Sequence, residues 1–223
     1  MDTINHYVII VAGGAGKRMN SPLPKQFIEI HNKPIIFHTI EKFLAADSTI
    51  NFVISLHLDF VDYWKELLEK HQFNFKHEIV VGGEERFFSV NNALELVPSN
   101  SIVGIHDAVR PLVSKETILN CFKTAQQEGS AIPVVDSVNS VRFIQKEINQ
   151  NLERQYVKQV QTPQYFSSKL IKDCYLTDYS RKFTDDASVF EAKNSAIITV
   201  DGNPENIKIT SPIDLIIAKE LLK

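Results

Sequence analysis

The chain has 223 residues, with 43% hydrophobic and 23% charged residues, which is the make-up of an ordinary globular protein and excludes a disordered one. Its formal net charge of −3 gives no sign of a broad cationic face for nucleic acid and leaves room only for local basic patches. The length carries one substantial α/β domain, 1–223, with a full core, and the N-terminal apolar run is too short for a signal or a membrane span, so a cytoplasmic location is expected.

Strand and helix signals alternate along the chain. Residues 7–12 form an apolar strand that runs into Gly13-Gly14-Ala15-Gly16-Lys17-Arg18-Met19. Pro34 opens a helix whose Ile36, Ile40, Phe43 and Leu44 fall at i, i+4, i+7 and i+8, and 51–57 reads as a strand. Helices follow at 60–71 and 87–96, separated by a short strand at 77–81. Residues 101–106 are the next strand, a helix capped by Ser114 runs to Gly129, and 131–135 is another strand. This alternation predicts a Rossmann-like, mostly parallel sheet with helices on both faces and ligands beyond the carboxyl ends of the strands.

Residues 136–162 break the rhythm. Strands at 140–144 and 152–160 flank a polar turn at 145–151, with no covering helix between them. Such a projecting hairpin arm, about 137–160, exposes Phe143, Ile144 and Tyr156, and a partner subunit is its simplest cover, so a homodimer is expected. Helices return at 169–176 and 186–192, strands at 196–200 and 206–210, and Ser211-Pro212 begins a last helix. Cys121 and Cys174 each lie in a predicted helix, away from any metal-ligand spacing, and read as reduced packing residues.

The glycine loop is where chemistry first shows. A strand opening into Gly13, Gly14 and Gly16 lets backbone N–H groups approach polyphosphate oxygens, and Lys17, Arg18 and Lys25 supply countercharge. It is neither of the common nucleotide loops. A P-loop needs Ser or Thr where Arg18 stands, and the dinucleotide fingerprint needs a third glycine where Met19 stands, with Pro22 and Pro24 following.

Four further clusters sit where strands end or helices begin. Gly82-Gly83-Glu84-Glu85-Arg86 leads towards Ser89, and its glycines can approach a base or ribose edge; taken alone it reads rather as a structural, acidic helix start. Asp107, in His106-Asp107-Ala108-Val109-Arg110-Pro111, is positioned to hold Mg²⁺ through one oxygen while triphosphate and water complete the octahedron; taken singly it is equally a turn cap. His106 reads as a packed strand residue, with no second His at ligand spacing. Thr184-Asp185-Asp186-Ala187-Ser188 is a helix N-cap with acidic first-turn residues, and Lys208 in Asn206-Ile207-Lys208-Ile209-Thr210 reads as a phosphate ligand or a solvated lysine.

Taken together and in order, V-A-G-G-x-G-K-R-M, P-K-Q-F, G-G-E-E-R-x-x-S-V, H-D-A-x-R-P, P-V-x-D-S, T-P-Q-x-F, T-D-D-A-S and N-I-K-I-T-x-P-x-D-L resemble the 2-C-methyl-D-erythritol 4-phosphate cytidylyltransferases of the non-mevalonate isoprenoid pathway, from Val8 to Leu215. The resemblance implies a CTP site at Ala12, Gly13, Gly14, Gly16, Gly83, Glu84, Ser89 and Ala108, with Lys208 on the phosphates. It implies catalytic roles for Arg18 and Lys25, a metal at Asp107, and a sugar-phosphate side formed by Arg110, Thr162 and Thr184 with Ser137 and Arg154 of the neighbouring subunit's arm. Three positions depart from the usual pattern: Ser137 where threonine is common, Asp186 where Glu is frequent and Asn139 where a basic residue often stands. The ribitol 5-phosphate cytidylyltransferases share the glycine loop, P-K-Q-F, H-D-A-V-R-P and T-P-Q, whereas T-D-D-A-S with Ser188 looks more like the methylerythritol enzymes. A nucleotide-binding regulatory module on the same fold is the non-enzyme alternative, and the retention of Arg18, Lys25 and Asp107 argues against it.

Overall fold

The structure, a computed structural model, describes residues 4–14, 23–193 and 196–223. Strand β1 (Asn5–Ala12) is the centre of the sheet, pairing in parallel with β4 (Asn51–Leu56) on one side and β6 (Ser101–Asp107) on the other. Beyond β4 lies β5 (His77–Val81), also parallel. Beyond β6 come β11 (Gln164–Ser167), antiparallel to it, and β7 (Ser130–Asp136), whose far end takes β10 (Lys158–Val160) antiparallel and to which β12 (Thr199–Asp201) adds in parallel. The expected mostly parallel sheet is therefore present. The chain leaves β1 for β4 and β5, then returns to β6 on the opposite side, so the switch in direction falls between β1 and β6. A crevice opens there, outside the carboxyl ends.

Both faces of β1 are buried, as a continuous apolar run requires. Val8 and Ile10 face one layer with Phe37, Phe43, Phe52 and Trp64, while Ile9 faces the other with Val53, Val90, Ile105 and Phe166. The first layer comes from α1 (Ile35–Ala46), α2 (Val61–Lys70) and α4 (Lys115–Glu128); the second from α3 (Arg86–Glu95), α5 (Ser168–Cys174) and α6 (Asp186–Glu191). Caps set the helix ends where the sequence marks them. Ser114 accepts a hydrogen bond from the Thr117 N–H, and Gly129 closes α4 at φ +87°, a conformation that disfavours any Cβ. Ser211 and Pro212 start α7 (Pro212–Leu221). None of the helices described is long and apolar enough to cross a membrane. Cys121 and Cys174 are free and buried, and burial pushes the Cys121 thiol up to about 12, in keeping with packing residues.

Three expectations need correction. The arm hairpin is β8 (Val141–Gln145) and β9 (Ile148–Leu152) around the two residues Lys146 and Glu147, so most of the expected turn at 145–151 is strand. Its polar run carries no alternation because both faces are exposed. Second, 206–210 is not a strand among the described residues: Ile209 N–H donates once to Val109 O, the Asn206 and Ile207 N–H groups turn back to the carbonyls of Asn203 and Glu205, and the Thr210 N–H goes to the Asp214 carboxylate, so no ladder forms. Third, the sequence signals omit β11 and a small hairpin, β2 (Glu29–Ile30) with β3 (Lys33–Pro34). β11 is four residues long, begins just after the cis Thr162–Pro163 bond, and offers no alternation because Gln164, Tyr165 and Phe166 are all buried.

Candidate active site

The crevice between the ends of β1 and β6 holds two adjoining cavities. The first is lined by Ala12, Gly13 and Gly14, by Lys25 and Gln26, by Gly83–Arg86 with Ser89, and by Asp107, Ala108 and Lys208. Gln26 shapes its floor. Its buried amide Nε2 donates to Ala12 O (2.6 Å) and Gly14 O (3.3 Å), fastening the segment after Pro24 to the glycine loop. Across the cavity, Ser89 Oγ accepts from the Gly83 N–H at 3.1 Å, and a Cβ on Gly82 would stand 2.8 Å from that oxygen. A Cβ on Gly83 would overlap Phe88 Cβ at 2.3 Å. The glycine pair thus lets the loop lie directly on the first turn of α3, with backbone lining the cavity. Gly16 and Arg18 lie outside the described residues.

The second cavity is lined by Arg110, Gln161, Thr162, Gln164, Thr184 and Asp185 among others. Arg86, Asp107 and Lys208 line both and form the shared wall. Asp107 is buried in that wall, with Oδ2 taking Lys208 Nζ at 3.0 Å and Arg110 Nε at 3.2 Å, and Oδ1 lying 3.8 Å from Arg86 Nε. Burial alone would raise its carboxyl; Lys208, Arg86 and Arg110 outweigh that and hold it well below the usual carboxylate range. Among the described residues no group of three His, Cys, Asp or Glu is arranged to hold a metal. One loosely held carboxylate oxygen does fit a hard cation that takes its other ligands from phosphate and water.

A relay of hydrogen bonds fixes the turn that carries Asp107. The Asp107 N–H donates to Thr162 Oγ1 (3.2 Å), the Thr162 hydroxyl donates to His106 Nδ1 (3.0 Å), and His106 Nε2–H donates to Arg110 O (3.1 Å). Burial pushes His106 down to about 3, so it is neutral and structural, as its isolated position in the sequence implied. Thr162, expected on the sugar-phosphate side, lines that cavity but spends its hydroxyl in the relay. Asn206 braces the same region, donating to Thr162 O (2.8 Å) and accepting Arg110 Nη1 on its backbone oxygen (2.7 Å). Asp185 is the N-cap of α6, as its sequence position predicts, and Thr184 beside it lines the second cavity.

Ser137 and Arg154 are not brought to either cavity within the chain. They share a separate depression on the arm, where Arg154 Nη1 donates to Val138 O (2.8 Å) and Ser137 Oγ to Asn139 O (3.1 Å).

Sequence reasoning missed a residue at the centre. Arg86 makes a bidentate pair with Asp186, Nη1 to Oδ1 at 2.8 Å and Nη2 to Oδ2 at 2.6 Å, and Tyr175 OH donates to Asp186 Oδ1 at 2.7 Å. The signal available was a charged residue closing a glycine turn; its partner stands 100 residues away, beyond any local pattern. Gln26 and Asn206 were quoted within motifs, but their side-chain amides follow only from the fold.

The family model for 2-C-methyl-D-erythritol 4-phosphate cytidylyltransferase matches residues 6–223. Proteins of that name from Phocaeicola vulgatus and Bacteroides fragilis are 46% identical over 219 residues and 47% identical over 214, covering 98% and 96% of this chain and 100% and 98% of theirs. Among solved structures, the 4-diphosphocytidyl-2C-methyl-D-erythritol synthase of Anaerococcus prevotii matches with a TM-score of 0.84 at 28% identity, covering 98% of this chain and 96% of that one. The 2-C-methyl-D-erythritol 4-phosphate cytidylyltransferase of Francisella tularensis matches with 0.80 at 29%, covering 97% and 99%. With sequence and fold agreeing over nearly the full length, on a crevice walled by Arg86, Asp107 and Lys208, the chain belongs to the 2-C-methyl-D-erythritol 4-phosphate cytidylyltransferase family.

Proposed function

We infer that this enzyme transfers the cytidylyl group of CTP to 2-C-methyl-D-erythritol 4-phosphate, giving 4-diphosphocytidyl-2-C-methyl-D-erythritol and pyrophosphate, in isoprenoid precursor biosynthesis. The observation that carries the reading is the pair of cavities with one cationic wall: a glycine-lined pocket for a nucleoside triphosphate beside a pocket for a second phosphate. An oxygen of the sugar phosphate attacks the α-phosphorus of CTP, a new P–O bond forms, and the bond to the β-phosphate oxygen breaks as pyrophosphate leaves. No covalent enzyme intermediate is needed, so catalysis is alignment and charge stabilisation.

In this reading Ala12, Gly13, Gly14, Gly83 and Glu84 hold the nucleotide and Ser89 keeps the second glycine turn in place. Lys25 and Arg18 stabilise charge that builds on the non-bridging oxygens, and Lys208 meets phosphate from the wall. Arg110 and Thr184 face the acceptor, and Thr162 keeps Asp107 and Arg110 in register. A Mg²⁺ bound by Asp107 and the triphosphate would draw charge from the departing pyrophosphate. The arm supports a homodimer: Val138, Ile144 and Tyr156 are 82%, 69% and 77% exposed, and Ser137 and Arg154 line neither crevice cavity of their own chain. Two unpaired thiols agree with a cytoplasmic location.

The test is pyrophosphate release from CTP with 2-C-methyl-D-erythritol 4-phosphate or ribitol 5-phosphate as acceptor, with and without Mg²⁺. Higher kcat/KM with methylerythritol phosphate and loss of turnover on chelation are expected. A preference for ribitol phosphate would overturn the substrate, and turnover indifferent to chelation would overturn the metal.

A further inference from the structure

The Arg86–Asp186 pair joins two loops that serve different substrates. Arg86 begins α3, directly after the Gly83–Glu85 loop that lines the nucleotide cavity. Asp186 begins α6, directly after Thr184 and Asp185, which line the acceptor cavity. The Asp186 side chain is wholly buried, while the Arg86 side chain is 27% exposed and lies on the wall common to both cavities. The Asp186 side of this joint is held from behind. Tyr175 OH donates to Asp186 Oδ1, and the Tyr175 ring stacks on Phe87 at 4.8 Å. Gln164 ties the start of α6 to β11, accepting the Ala187 N–H on Oε1 and donating Nε2 to Asp185 Oδ2, both at 2.9 Å. From this anchorage Arg86 Nε reaches to 3.8 Å from Asp107 Oδ1.

We propose that Arg86, anchored by Asp186 and Tyr175, is a positioning residue for the transfer step: it locks the nucleotide loop to the acceptor loop and sets Asp107 between them, so that the attacking oxygen and the α-phosphorus meet in line. The proposal rests on the cytidylyltransferase reading. A bidentate fork is needed because one planar contact fixes both distance and rotation, which a point charge cannot do. Misalignment of about an ångström is costly in rate and almost free in ground-state binding, since the nucleotide keeps its contacts with the glycine loops.

Arg86→Lys keeps the charge and loses the fork. Its kcat for pyrophosphate release is expected to fall roughly thirtyfold or more. Its Kd for CTP alone, measured by calorimetry without acceptor, is expected to stay within about threefold of the wild type. Tyr175→Phe removes only the hydroxyl that steadies Asp186 and keeps the ring stack, so a fall in kcat of roughly three- to tenfold at unchanged CTP Kd is expected. Should Arg86→Lys fail to fold by circular dichroism, Tyr175→Phe decides by the same two numbers. A kcat within twofold of wild type in the deciding variant overturns the proposal. A parallel loss of kcat and CTP affinity overturns it too, because the pair would then merely support the nucleotide cavity. Absence of turnover in the wild type overturns the cytidylyltransferase reading and the proposal with it; wild-type turnover with an unaffected variant overturns the proposal alone.

Discussion

The wall of the crevice and the arm are built on opposite terms. In and behind the wall, single polar groups answer several others: Asp107 meets three cations, Thr162 serves two neighbours, and Asp186 accepts from both Arg86 and Tyr175. On the arm, β8 and β9 form a two-stranded sheet of their own, and Arg142 bonds to Asn149 across it. A lone hairpin of this kind is marginal in water, and this one shows apolar residues to solvent. The wall's bonds close within one chain, whereas the arm's exposed residues fit the proposed role of a surface that a second subunit covers. The residues that must not move are held by redundancy, whereas those expected to act on another subunit await their context.

The largest effects are expected from the two cations that flank the glycine motif in sequence. Lys25→Ala and Arg18→Ala are each expected to lower kcat by roughly a hundredfold or more, with little change in CTP affinity, because charge on the transferring phosphoryl group develops only in the transition state. Steady-state assays with separate measurement of CTP binding check this. Wild-type turnover in either variant would remove that residue from the chemistry.

The second prediction tests whether the arm completes a neighbour. Arg154→Ala and Arg18→Ala homodimers should both be nearly inactive. Mixed after subunit exchange, half the dimers pair one of each, and half the sites in those dimers hold both arginines, so about a quarter of wild-type activity should return. A mixture no more active than its parents, with exchange verified by mass spectrometry of tagged chains, would confine Arg154 to its own chain.

The smallest effect is on stability, and it sharpens the contrast. Thr162→Val strips the relay of its middle member, leaving the Asp107 N–H and His106 Nδ1 unanswered, and should cost about 1–3 kcal/mol in urea denaturation. Gln150→Ala on β9, an exposed arm position, should stay within about 0.5 kcal/mol. Equal costs would mean that the wall is no more tightly determined than the arm.

The same contrast marks what could be read from residues alone. The central strands were legible because burial on both faces writes an uninterrupted apolar run, and helix ends because Ser114, Gly129 and Ser211-Pro212 act locally. The position of Asp107 at a strand end followed from the alternation of elements. The arm's boundaries did not, since a hairpin exposed on both faces has no apolar period to display. Nor did the Arg86–Asp186 joint or the Gln26 amide, whose partners are chosen by the fold rather than by spacing.

The Thr162–His106–Arg110 relay has one more consequence, for the protons of the reaction. With both ring nitrogens of His106 committed and its proton affinity collapsed by burial, the imidazole nearest the wall cannot act as a buffer, and Asp107 stays ionised throughout the neutral range. Neither trades a proton where cells live. The proposed reaction asks neither for one: its acceptor is a phosphate monoester, which sheds its second proton at about pH 6 and so offers a dianionic oxygen without a base from these two side chains.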